Sequence, residues 1–132
     1  MDVADDNAGI IRRCYQALNA ADVEALIRLF DEKATWHTPG RSHIAGDFYG
    51  RDRVIAQLAR YVDETRGAFR IAIQDVFTSD DGRAIGVYLC SAERDGKRLD
   101  LGCCAALHLR NGRIISGREH FFNLYAWDAF WS

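Results

Sequence analysis

The chain has 132 residues, 48% apolar and 11% aromatic, which supports one folded domain with its own core and excludes a disordered chain. Its net charge of -2 mixes both signs without a basic stripe, which argues against nucleic acid as a partner. No apolar run approaches the roughly 20 residues of a membrane span, and the acidic opening Met1-Asp2-Val3-Ala4-Asp5-Asp6 has no apolar stretch of a signal peptide, so a cytoplasmic protein without membrane contact is expected.

In chain order, residues 1–6 are expected to be disordered and the first half helical. Asp6 or Asn7 can cap a helix whose stripe is Ile10, Ile11, Cys14, Ala17 and Leu18. Asp22 can cap a second, with Val23, Leu26, Ile27 and Phe30 at helical spacing. Ala34 to Thr38 reads as a strand stopped by Pro39-Gly40, with Trp36 and Thr38 inward and His37 turned away. A polar loop over 39–49, flanked by His37 and His43, then covers the mouth of any pocket. A third helix carries Val54, Ile55, Leu58, Tyr61 and Val62 on its stripe and ends near Gly67.

The second half is strand. Phe69, Ile71 and Ile73 alternate with polar or small residues, and the alternation slips at Asp75-Val76-Phe77, as a bulge would make it. Strands near 84–93, 98–109 and 114–123 are joined at Asp95-Gly96 and Asn111-Gly112, with a further turn at Asp80-Asp81-Gly82. Asp-Gly and Asn-Gly supply the positive φ that type I′ hairpin turns require. The predicted architecture is a single α+β domain over 1–132: three N-terminal helices packed in a strongly curved antiparallel sheet, a cone-shaped barrel with a pocket at its open end.

The period-2 alternation of the last strand places Ile115, Gly117, Glu119, Phe121 and Asn123 on one face, with Arg118 and His120 opposite. A carboxyl among apolar and small neighbours gains basicity, the starting material of general acid–base chemistry. Its structural alternative is an ion pair with Arg70, Arg98, Arg118 or a lysine. The strand 84–93 puts Gly86, Tyr88 and Cys90 on one face, where Tyr88 can donate to a substrate oxygen. On the next strand Gly102, Cys104 and Ala106 share the inward face as small spacers, leaving Cys103, Ala105, Leu107 and Ile114 outside. His43 can swing in from its loop as an acid, and Asn123 can orient Glu119 or a substrate oxygen. Cys14, Cys90, Cys103 and Cys104 show no Cys-x-x-Cys pairing and the histidines no ligand spacing, so free thiols, no metal and no cofactor are expected. The tail 124–132 is too aromatic to stay in water, so it docks on its own pocket or on a second subunit.

Four segments carry a resemblance: Tyr15-Gln16-Ala17-Leu18-Asn19-Ala20-Ala21-Asp22, Ala34-Thr35-Trp36-His37-Thr38-Pro39-Gly40, Ala45-Gly46-Asp47-Phe48-Tyr49-Gly50-Arg51 and Leu109-Arg110-Asn111-Gly112-Arg113-Ile114. From about residue 7 to 131 the chain resembles the SnoaL-like polyketide cyclase and ketosteroid isomerase-like branch of the nuclear transport factor 2-like superfamily. The resemblance implies a homodimer around a small-molecule pocket. Ketosteroid isomerases place their general base where this chain has Thr38, their oxyanion tyrosine at Cys14 and their protonated aspartic acid at Ala106, so the resemblance counts against that activity (ketosteroid isomerase is a standard worked case of such an acid/base set). Limonene epoxide hydrolases place an Arg/Asp pair near Gly86 and Tyr88, which is missing here, and an acid on the last strand at Glu119, as SnoaL-type cyclases also do. The expected site therefore has Glu119, Tyr88 and Thr38 as its chemical groups. Cys14, Trp36, His43, Leu58, Gly86, Cys90, Cys104, Ala106, Gly117, Phe121 and Asn123 surround a small apolar oxygenated metabolite such as a polyketide or isoprenoid. The alternative is a non-catalytic ligand-binding or dimerisation domain of the same fold.

Overall fold

A computed structural model describes residues 3–132. The elements are α1 (Val3–Asn19), α2 (Val23–Leu29), β1 (Phe30–Thr38), β2 (Gly46–Tyr49), α3 (Arg51–Asp63), β3 (Arg70–Thr78), β4 (Arg83–Arg94), β5 (Lys97–Arg110), β6 (Arg113–Phe121) and α4 (Leu124–Trp131). Helix α1 starts at Val3, so neither Asp6 nor Asn7 is its cap, and Asn7 is instead buried. Met1 and Asp2 lie outside the described residues. Asp22 caps α2 through Oδ1, which accepts from the Ala25 amide at 3.1 Å. The stripe expected on α2 divides: Leu26 and Phe30 are buried, but Val23 and Ile27 are exposed, because Phe30 already belongs to a strand. Helix α3 stops where Gly67, at φ 82°, returns its amide to the Val62 carbonyl.

The six strands form one curved, unclosed sheet in the order β2-β1-β6-β5-β4-β3. All neighbours run antiparallel except β1 and β6, which are parallel, so the sheet is mixed rather than purely antiparallel. That exception puts an early strand beside the last one and brings Thr38 to Glu119. The hairpins at Asp95-Gly96 and Asn111-Gly112 have positive φ at both central residues, as the sequence demanded. The β3 bulge falls between Ile73 and Asp75, one residue earlier than the sequence pattern suggested. Part of the expected loop over 39–49 is strand β2, paired with β1 from Thr35↔Tyr49 to Thr38↔Gly46.

Helix α1 packs on β3 and β4, α3 on β1 and β2, and α4 on β5 and β6. All lie against the inner face, and the core sits between. The aromatic tail is thus a helix docked on its own chain: Trp127, Phe130 and Trp131 are buried, whereas Leu124 and Tyr125 face out. No helix among the described residues is long and apolar enough to cross a membrane.

Candidate active site

The register defines one row across the inner face. Gly86 pairs with Ala105, Ala105 with Glu119, and Thr38 lies beside Glu119 at the end of β1. Glu119 is 4% exposed. Its Oε1 accepts three hydrogen bonds, from Trp36 Nε1 at 2.7 Å, Thr38 Oγ1 at 2.8 Å and the Tyr61 hydroxyl at 2.5 Å. Its Oε2 accepts none from the described residues. No Arg or Lys forms a salt bridge to it among those residues; the ion pairs found are His37–Asp47, His43–Glu64 and Arg60–Glu64. Burial therefore pushes the Glu119 carboxyl above its ordinary value, against the opposing pull of the Tyr61, Trp36 and Thr38 donors. Among the described residues the ion pair that was the structural alternative for Glu119 is not formed.

Two glycines make the row compact. A Cβ on Gly117 would lie 2.1 Å from the Trp36 ring, so Trp36 packs flat on the strand that carries Glu119. A Cβ on Gly86 would lie 3.3 Å from the Tyr15 ring, which rests there against Tyr88 at a centroid separation of 5.0 Å. The Tyr15 hydroxyl is sealed from water and finds no well-formed hydrogen bond among the described residues, its polar neighbour being the Tyr88 side chain. Burial pushes the Tyr15, Tyr61 and Tyr88 hydroxyls well above the ordinary phenol range, so all three remain donors.

Trp36, Thr38, Tyr88, Cys14, Leu58, Gly86, Cys90, Gly117 and Phe121 all lie on the inner side as expected, with Phe121 half-buried. Burial pushes the Cys14 thiol up to about 12, which makes it a packing group rather than a nucleophile. Cys90 Sγ sits 3.0 Å from Cys103 Sγ, and both thiols are free. Four expected site residues are elsewhere. Cys104 and Ala106 stand on the outer face, because β5 turns Cys103, Ala105 and Leu107 inward; Ile114, also expected outside, is buried through a register shift in β6. The resemblance-based placement of an acid position at Ala106 thus belongs on the far side of the sheet from Glu119. Asn123 caps α4, its Oδ1 accepting from the Ala126 amide at 3.0 Å. His43 is exposed and pairs with Glu64 at 2.5 Å, where His43 and Arg60 draw the Glu64 carboxyl down against the opposing effect of burial.

The sequence reading missed Tyr61 and Gln57 as site residues. Gln57 is 1% exposed, and its Nε2 donates to the Ile44 carbonyl at 2.7 Å, with Thr38 Oγ1 at 3.2 Å and the Tyr61 hydroxyl at 3.3 Å. The available signal was a polar residue on the apolar stripe, at i+3 from Val54 and i−4 from Tyr61.

The interior beside this row is filled. Trp127 stacks on Phe121 at 3.7 Å and meets Tyr61 edge-on at 5.5 Å, and Trp131 lies 5.8 Å from Tyr61. A recess of about 530 Å³ opens nearby, walled by outward groups such as Ile85, Ala106, His108 and Arg118 and reaching Trp36 and Gly117, but Glu119 does not line it.

The SnoaL-like domain profile matches residues 11–117. An uncharacterised protein of Mycobacterium tuberculosis is 30% identical over 128 residues, covering 97% of this chain and 98% of that one. The structure of Bal32a, from a soil-derived mobile gene cassette, superposes with a TM-score of 0.95 at 55% identity, covering 98% of both chains. A putative SnoaL-like polyketide cyclase from Jannaschia shares the fold, with a TM-score of 0.81 at 14% identity over 100% of this chain and 96% of that one.

Proposed function

The chain belongs to the SnoaL-like domain family, and from that membership we propose that it is a small-molecule pocket enzyme whose own side chains perform acid–base chemistry. The observation that carries this reading is a buried carboxyl with no Arg or Lys paired to it among the described residues, held by three donors on one oxygen. A purely structural glutamate would be expected to keep a counter-charge. Burial raises the Glu119 carboxyl above its ordinary value, so this reading makes it the group that passes a proton to a substrate oxygen and later recovers it. This reading assigns Tyr88 and Tyr15 to hold an oxygen that gains charge, since a ligand acceptor would recover the roughly 1–3 kcal/mol that a poorly bonded buried hydroxyl costs. Thr38 serves the acid, since its hydroxyl is committed to Glu119 and its neighbours. The substrate class is a small, mostly apolar, oxygenated metabolite, with cyclisation, isomerisation, dehydration or epoxide opening as the reaction type.

The second reading is a non-catalytic domain, favoured by the packing of Trp127 and Trp131 over the inner face. Glu119→Gln separates the two. Against a panel of small carbonyl and epoxide compounds, the enzyme reading expects turnover that falls by about 10²-fold or more in this variant. Turnover unchanged by Glu119→Gln overturns it. We also propose self-association through the outer sheet face, where Phe77, Ile85, Leu89 and Phe122 are exposed.

A further inference from the structure

We infer that Gln57 is a positioning residue: its amide, held from both ends, makes the Thr38 and Tyr61 hydroxyls accept on its side, so that their protons turn toward Glu119 Oε1 and tune the proton affinity of that carboxyl. This rests on the acid–base reading of Glu119 and adds to it what sets the strength of the acid.

The orientation of a glutamine amide is ordinarily a matter of assignment. Here chemistry decides it twice. The Arg60 guanidinium can only donate, and its Nη1 lies 3.2 Å from Gln57 Oε1. The Ile44 carbonyl can only accept, and it lies 2.7 Å from Gln57 Nε2. Of the two Nε2 protons, one is used on Ile44 and the other falls between Thr38 Oγ1 and the Tyr61 hydroxyl, at 3.2 and 3.3 Å. Both hydroxyls therefore accept on that side, and each has a single proton left to give. Tyr61 and Thr38 lie 2.8 Å apart, and both reach Glu119 Oε1. Trp36 Nε1, the third group on that oxygen, is a donor and nothing else. The Thr38, Tyr61 and Glu119 Oε1 oxygens thus form a closed triangle of contacts that shares the two hydroxyl protons, and with the amide on their far side those protons lie within the triangle, next to the carboxyl.

The clamp on the amide extends to the surface. Arg60 Nε lies 3.3 Å from Glu64 Oε2 and its Nη2 lies 3.2 Å from the His43 carbonyl, while His43 Nε2 lies 2.5 Å from Glu64 Oε1. The loop histidine that the sequence offered as an acid is thus the outer end of this chain of contacts. The other titratable groups around Glu119 are Tyr15 on α1, Tyr61 on α3, Tyr88 on β4 and Cys103 on β5, with His37 behind it on β1.

The test is an NMR titration of the Glu119 carboxyl in two variants. Gln57→Glu puts acceptors where the amide donates, drawing both hydroxyl protons away and adding a like charge nearby. Gln57→Leu removes the polarity and keeps the volume. The Glu119 midpoint should rise by about one unit or more in Gln57→Glu, and by clearly less in Gln57→Leu. Equal midpoints in the two variants, or no departure from the parent chain in either, overturn the inference; a residue that merely packs would move only the melting temperature. Should Gln57→Glu not fold, the parent chain supplies the readout. A through-bond coupling from Gln57 Nε2 to the Ile44 carbonyl carbon is expected, and its absence overturns the assigned orientation. None of these readouts needs turnover, so an unreactive Glu119 would defeat the functional reading and leave this one standing or falling by itself.

Discussion

Adding one methyl group at Gly117 should disable the acid from behind. The Cβ of Gly117→Ala would stand 2.1 Å from Trp36 Cζ3, 2.4 Å from Cε3 and 3.0 Å from Leu107 Cδ2. Gly117 does not have positive φ, so the effect is one of space alone. Ordinary contact begins at 3.4 Å, so the indole must retreat by 3.4 − 2.1, or 1.3 Å. A retreat along the bond would stretch the 2.7 Å contact from Trp36 Nε1 to Glu119 to 4.0 Å, past hydrogen-bond range. Overpacking of this kind costs about 1–3 kcal/mol, and loss of a donor to a carboxylate about 1.5–3 kcal/mol. Together about 2.5–6 kcal/mol is expected in urea denaturation, a large part of a typical domain stability of about 5–15 kcal/mol. The Trp36 indole N–H resonance should move with it. In a Trp36→Phe background the benzo ring is gone, and the same methyl should cost clearly less. A cost below about 1 kcal/mol with an unmoved indole resonance, or equal cost in both backgrounds, would refute the reasoning.

Trp127→Ala should destabilise the fold by about 3–5 kcal/mol, since the ring is fully buried against Phe121 and Tyr61; a change within about 0.5 kcal/mol in thermal or urea melts would mean that α4 is not docked. Glu119→Gln should gain stability relative to the parent chain as pH rises. The folded carboxyl holds its proton to higher pH than the unfolded one, so the parent loses stability between the unfolded value, about 4.3, and its raised folded value, and the amide does not. A stability difference that is flat across that window, followed by urea melts at each pH, contradicts the raised carboxyl. Ile85→Asp together with Leu89→Asp should give monomers in analytical ultracentrifugation where the parent chain gives dimers; a monomeric parent removes the proposed interface.

The hairpins, the α2 cap, the inward row of β4 and the position of Glu119 were legible because each rests on local chemistry: Asn-Gly and Asp-Gly turns, an aspartate before an apolar stripe, a period of two. The inward face of β5 was misread because Gly102-Cys103-Cys104-Ala105-Ala106 does not declare a side. The flanking Leu99, Leu101, Leu107 and Leu109, all buried, do declare it, against Arg98, Asp100, His108 and Arg110. The β6 register shift exchanged Ile115 for Ile114 in the buried row, which strict alternation cannot show. The parallel pairing of β1 with β6 joins residues about 80 apart and has no local signature, so the convergence of Trp36, Thr38 and Tyr61 on Glu119 was out of reach of the sequence. Asn123 and His43 followed from polarity and position, and each found a nearer partner, the α4 amide of Ala126 and the Glu64 carboxylate.

The central claim is that Glu119 is a buried, uncompensated acid. Its side-chain carboxyl in the folded parent chain, followed by carbon-detected NMR against pH, tests this most directly. The account predicts a midpoint above the model-peptide value of about 4.3; a midpoint at or below that value would contradict it.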